Sequence, residues 1–183
     1  QGSGPLAGKI DTQTLVLLGH SYGGVTGLYA IENDCSWPFC SGSFNRPAAL
    51  KGGAFYGTNT KSPLGSIADV QNDGIPVALI QGDLDSKTSV PDTQTTYDKI
   101  QSPPKMLVVL AGANHYGNCD QDNPPGAAAD NTAPTLSQSV AIETVARWSA
   151  VFLRATALND AAAAAYLVSG PAQDTNVTVT WQP

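Results

Sequence analysis

Charge and histidine are both scarce in this 183-residue chain, and long hydrophobic runs are missing altogether. Asp, Glu, Lys and Arg make up 13% of the residues, about half the ~25% of an ordinary soluble domain, so Thr, Asn, Ser, Gln and Gly must carry the surface. The nine Lys and Arg stand against fifteen Asp and Glu and form no cluster, which argues against nucleic acid or an anionic membrane as a partner. The strongest apolar stretches, 106–113 and 161–168, each reach eight residues, where a membrane-spanning helix needs about 18. Cysteine is limited to three positions, and only His115 lies near Cys119. A structural zinc site needs about four closed ligands, so no metal is expected. Cys35 and Cys40 bracket the short segment Cys35-Ser36-Trp37-Pro38-Phe39-Cys40 and can close as a disulfide, leaving Cys119 over. That pair and the acidic, lysine-poor surface favour a secreted or extracellular protein over a cytoplasmic one with three free thiols.

What is present begins with Gly19-His20-Ser21-Tyr22-Gly23-Gly24, directly after the apolar run Leu15-Val16-Leu17-Leu18. Glycines two positions to each side of Ser21 suit a sharp turn between a buried strand and a helix, where larger side chains are expected to collide. Such a turn presents one serine as a nucleophile. A serine hydroxyl is weak at neutral pH, so the chemistry also needs a base and a group to orient it.

With two histidines in the chain the search for the base is short. His20 lies inside the turn and is expected to project away from its neighbour Ser21, packing or hydrogen-bonding beneath the turn. His115 follows the apolar run 106–110 and the small-residue stretch Ala111-Gly112-Ala113-Asn114, the profile of a buried strand opening into a loop. Between Ser21 and His115, the run 76–81 ends in Gly82-Asp83-Leu84-Asp85. Asp85 is the preferred orienting acid and Asp83 the alternative. Each element alone has an ordinary structural use, such as a turn former or a helix cap. Their order, each after its own apolar run, is what discriminates.

Taken in that order, Ser21, Asp85 and His115 resemble the α/β-hydrolase superfamily, in which a nucleophile turn, an acid in a Gly-x-x-Asp pattern and a histidine after the last main strand follow one another. The Gly-His-Ser-Tyr-Gly-Gly turn and the Gly-Ala-Asn-His-Tyr-Gly segment around His115 look most like the dienelactone hydrolase, chlorophyllase and polyester hydrolase (cutinase-like) neighbourhood. The resemblance implies a serine hydrolase of carboxylic esters working through an acyl-enzyme, with no cofactor and with the Tyr22 backbone N–H as one oxyanion donor. Tyr56 and Tyr116 are expected to line the acyl pocket, and the loop 117–134 to shape its rim. Segment 57–75 is too short for a large helical lid, so an open cleft for a small-molecule or polymeric ester is expected. Two other readings stand beside this one. One is a serine peptidase of the prolyl-oligopeptidase type, whose turn also favours Ser-Tyr-Gly-Gly; the other is a catalytically inactive hydrolase-fold fragment.

The fold expected is α/β, a mostly parallel sheet with helices on both faces. Runs 15–18, 53–56, 76–81 and 106–110 are continuous rather than alternating, as for parallel strands covered on both sides. Helices are expected over 24–33, over 91–100 with its opening proline, and over 135–153, where Ile142, Val145, Trp148 and Phe152 recur at helical spacing. Only 14 residues precede the first run, leaving no room for the strands that come before the nucleophile in a complete α/β-hydrolase. The resemblance therefore covers the C-terminal half of that fold, with the N-terminal half as its missing partner. Residues 1–13 are expected to be an upstream remnant or linker, 14–156 the catalytic domain, and 157–183 a C-terminal helix and tail. No use is assigned to 161–166 or 175–181.

Overall fold

The computed structural model describes residues 3–35 and 40–183. Five strands form one sheet in chain order: β1 (Leu15–His20), β2 (Leu50–Tyr56), β3 (Val77–Gly82), β4 (Lys105–Leu110) and β5 (Val177–Gln182). β1 to β4 pair in parallel, and β5 joins β4 antiparallel. The helices are α1 (Tyr22–Glu32), α2 (Val90–Lys99), α3 (Gln138–Ala157) and α4 (Ala161–Ser169). The chain is thus α/β with a mostly parallel sheet.

Alternation across the pleat sorts the core into two layers. On one face Ala54, Ile80, Met106 and Val108 pack against Ala141, Val145, Trp148 and Phe152 of α3 and Leu167 of α4. On the other, Phe55, Leu79 and Leu107 meet Leu28 and Ile31 of α1 and Tyr97 at the end of α2. The expected strands and helices are all present with shifted ends. α2 is capped by Ser89, whose side chain accepts from Asp92 N, with proline in its first turn. α3 starts later than the expected 135 and runs on to Ala157.

The helix expected within 157–183 is α4, but the tail after it is no free end, because it supplies β5 to the sheet. β5 alternates half-buried Val177, Val179 and Trp181 with exposed Thr178, Thr180 and Gln182, the pattern of an edge strand with one wet face. The run 15–18 forms the opposite edge of the sheet, and Leu15, Val16 and Leu18 are 41%, 36% and 69% exposed. Among the described residues β1 pairs only with β2, so its apolar side chains lack the neighbours that bury β2 to β4. A groove of about 480 Å³ lies beside it, lined by Leu18, Ile142, Val145, Ala146 and Leu153 among others. Cys35 and Cys40 form a disulfide; the aromatic segment between them, 36–39, lies outside the described residues. Among the described residues no helix is long and apolar enough to cross a membrane.

Candidate active site

The four parallel strands end side by side, and hydrogen bonds carry their pairing one step further. Ser21 N donates to Tyr56 O, Gly57 N to Ile80 O, and Leu84 N to Ala113 O, at 3.0, 2.9 and 2.9 Å. Ser21, Gly57, Asp85 and His115 therefore gather beyond the carboxyl ends of adjacent strands, where open parallel sheets assemble their sites.

Ser21 joins β1 to α1 with φ 54° and ψ −124°, a backbone conformation that non-glycine residues avoid and that typically costs about 1–3 kcal/mol. It is half-buried, and its carbonyl accepts from Thr58 Oγ1 at 2.8 Å. A Cβ on Gly19 would lie 2.6 Å from Gly23 O, so close crossing of strand and helix does demand glycine there. Position 23 does not carry the same demand, contrary to expectation: a Cβ on Gly23 meets nothing within 4 Å. The second crowded position is Gly24, whose Cβ would come within 2.8 Å of the Thr58 side chain.

Asp85 and His115 meet as a buried pair. His115 Nδ1 donates to Asp85 Oδ2 at 2.8 Å, with side chains 5% and 0% exposed. Asp85 Oδ2 also accepts from Gln81 Nε2 at 3.0 Å and Thr88 Oγ1 at 2.6 Å. Its Oδ1 takes the backbone N–H groups of Lys87 and Thr88, both at 2.8 Å. Burial alone would raise this carboxyl's pKa, but the hydrogen bonds from His115 and Thr88 outweigh it and hold the group below its ordinary value of 3.8. Asp85 is therefore an anion at neutral pH. An anion accepting from Nδ1 holds a proton on that nitrogen and leaves Nε2 facing away from the carboxylate.

Asp83, the alternative acid, points elsewhere and accepts from Gly112 N at 2.6 Å. His20 lies under the turn, as its place in the chain suggests: its Nε2 donates to His115 O at 2.7 Å, and the two imidazole centroids are 4.6 Å apart. Burial, and then the proximity of His115, lower its pKa from 6.5, so it is neutral above that pH.

Among the described residues no hydrogen bond joins the Ser21 side chain to His115, whose ring meets Asp85 instead. Tyr22 opens α1 beside Ser21, and its side chain is 74% exposed.

Tyr56 and Tyr116, expected to line an acyl pocket, are 2% and 6% exposed, and Tyr56 lines the groove beside β1. Tyr56 OH donates to Asn114 O and Tyr116 OH to Ala128 O, each at 2.5 Å. Both rings lie within 6 Å of His20 and so prop the histidine segment from within. The loop 117–134 also turns inward. Asn114 Nδ2 donates to Asp122 Oδ1 and to Thr132 O, both at 2.9 Å, and Asp130 Oδ2 accepts from His115 N at 2.9 Å. Gln81, Thr58, Thr88 and Asp130 went unremarked in the sequence. Gln81 alone leaves a sign there, as a polar residue ending an apolar strand run. No group of three or more His, Cys, Asp or Glu among the described residues is arranged to hold a metal ion. Cys119 is a free thiol whose pKa burial raises, the reverse of what a nucleophilic cysteine needs. No protein-family model matches this sequence, and no curated protein matches it.

Proposed function

We propose that the chain carries the catalytic half of an α/β-hydrolase-type serine hydrolase that cleaves carboxylic esters. The observation that carries the reading is the strained backbone of Ser21 on a strand-to-helix turn, beside a buried Asp85–His115 pair joined through Nδ1. Strain of this kind is retained where a function over-determines it. In the reaction Ser21 Oγ attacks the ester carbonyl carbon while His115 Nε2 takes its proton. The Tyr22 N–H, at the positive end of α1, stabilises the developing oxyanion. Collapse of the tetrahedral intermediate breaks the carbonyl–alkoxy bond, and His115 returns the proton to the departing alcohol. Water, deprotonated by His115, then releases the acid from Ser21. Asp85 holds the imidazole in the working tautomer and faces the imidazolium that forms.

The exposed outer edge of β1 and the apolar groove beside it bear on the reading's other half. An open edge of this length and hydrophobicity is a template for pairing, and we assign it to a further strand of the same fold. In this reading the part of the fold that carries that strand is also the source of the second oxyanion donor and of cover for the site.

The experiment is labelling with a fluorophosphonate probe, mapped by mass spectrometry, on the wild-type chain, Ser21→Ala and His115→Ala, followed by a panel of nitrophenyl esters and prolyl-peptide amides. Labelling at Ser21 that disappears in His115→Ala, with ester turnover, is the expected result. Turnover that survives Ser21→Ala refutes the reading. Preference for a prolyl amide replaces it with a peptidase, and a folded chain that neither labels nor turns over indicates an inactive fold fragment or a need for the pairing strand.

A further inference from the structure

We propose that Asp130, in the loop after the base, is a positioning residue that clamps the segments carrying His115 and Asp85 to each other. The inference rests on the reading of that pair as the acid and base of a hydrolase. Asp130 is 5% exposed and spends both carboxylate oxygens on these two segments and its own loop. Oδ2 accepts from His115 N at 2.9 Å and from Ser86 N at 3.2 Å. Oδ1 accepts from Ser86 Oγ at 2.5 Å and Thr132 N at 2.8 Å. Ser86 is the residue directly after Asp85.

One oxygen therefore holds the backbone of the base and the backbone next to the acid at the same time, while their side chains meet at 2.8 Å on the other side. The two contacts close a ring through Asp85, Ser86, Asp130 and His115. Within such a ring the imidazole cannot slide along the carboxylate without breaking a charge-assisted hydrogen bond, and these are about twice as strong as neutral ones. Asp130 is itself fixed. Its N donates to Asn123 Oδ1 at 2.6 Å, and Asn123 Nδ2 donates to Asp130 O at 3.2 Å. A carboxylate suits the position because all four of its partners are donors. An asparagine has a single acceptor oxygen and would turn its own NH₂ toward N–H groups. Burying a carboxylate this deeply is costly unless its donors are all in place, and a loop with only a covering role has no need of one.

The test compares wild type, Asp130→Asn, Ser86→Ala and the double variant. Thermal melts establish folding, the proton resonance of His115 Nδ1–H reads the geometry of the pair, and kcat and KM are measured on the best ester of the panel. Asp130→Asn is expected to shift or broaden the Nδ1–H resonance and to lower kcat about ten- to hundredfold, the scale at which small misplacements act. KM should stay within about twofold, because Asp130 is no part of the ester-binding surface. Ser86→Ala should produce a smaller change of the same kind, less than additive with Asp130→Asn. A folded Asp130→Asn with wild-type resonance or wild-type kcat overturns the proposal, as does a fall in KM affinity alone. If Asp130→Asn fails to fold, Ser86→Ala decides by the same two readouts. A wild-type chain without esterase activity counts against the proposed function, whereas the resonance still reports on the clamp.

Discussion

Gly57→Ala tests whether the end of β2 is shaped around the acid–base pair. Gly57 has φ +57°, and a Cβ there would lie 3.1 Å from His115 Nδ1, 3.2 Å from Asp85 Oδ2 and 3.2 Å from His115 Cε1. A left-handed φ on an L-residue costs about 1–2 kcal/mol. Alanine also narrows the unfolded ensemble, which returns about 0.4–1 kcal/mol. The contacts add to the loss, since Asp85 is held by donors from Gln81, Lys87, Thr88 and His115 and has little freedom to retreat. The net expectation is destabilisation of about 1 kcal/mol, a fall in Tm of roughly 2–4 °C for a chain of this size. The imidazole must give by a few tenths of an ångström. Because a shift of about 1 Å can cost a hundredfold, kcat should drop about tenfold. Thermal melts and ester kinetics measure both. Gly23→Ala provides the contrast: its Cβ meets nothing within 4 Å and it lies within α1, where alanine is favoured over glycine by up to about 1 kcal/mol. It should melt at or above the wild-type temperature. A Gly57→Ala protein with unchanged Tm and unchanged kcat would refute the reasoning.

Asp85→Asn places an amide NH₂ among donors from His115, Gln81 and Thr88 and should lower kcat by about 10⁴, the scale seen when the orienting acid of a serine hydrolase loses its charge; retention of a tenth of the activity would count against Asp85 as that acid. Asp85, Asp130 and Asp174 all have folded pKa values below the ordinary 3.8. Their contribution to stability is therefore present above about pH 4 and is lost as pH falls through the folded values, which acid titration followed by circular dichroism will show. His20 titrates below 6.5 in the folded chain, so the unfolded chain binds its proton first and stability declines as pH falls from 6.5 toward the folded value. Urea midpoints at several pH values should show this limb, and His20→Gln should flatten it. Reduction of Cys35–Cys40, which closes a loop with a sequence separation of 5, should lower stability by about 2 kcal/mol on the chain-entropy estimate, read from urea melts with and without reductant.

The parts of the site that the sequence reveals are those governed by short-range constraints. Ser21, Asp85 and His115 each follow an apolar run, and the structure puts each just past a strand because a buried parallel strand must end where polar and small residues begin. The steric rule for the turn was only half legible: Gly19 is forced by the crossing helix, but the second crowded glycine is Gly24, pressed against Thr58 from a different strand end. β5 had a local signal that went unassigned, the alternation Val177-Thr178-Val179-Thr180-Trp181-Gln182, because a solvated edge strand does not look like the continuous runs of its neighbours. For β1 the apolar run reports what a strand is suited to meet, not whether a neighbour is there to meet it.

The tyrosines and Asp130 were beyond that reach for a further reason, and it bears on how the site is built. Tyr56 reaches a carbonyl 58 positions away, and Asp130 reaches Ser86 across 44 positions. Such bonds have no sequence period, because their geometry exists only once the sheet has brought the loops together. The groups proposed to do chemistry thus sit on rigid strand ends, where local sequence fixes them, while the groups that hold them in register come from distant loops. An aspartate within an Asn-, Asp-, Pro- and Gly-rich loop is indistinguishable in composition from its solvated neighbours. What separates Asp130 from them is burial together with four donors, and a loop that buries a charge so fully against the acid–base pair must stay closed for that pair to keep its geometry.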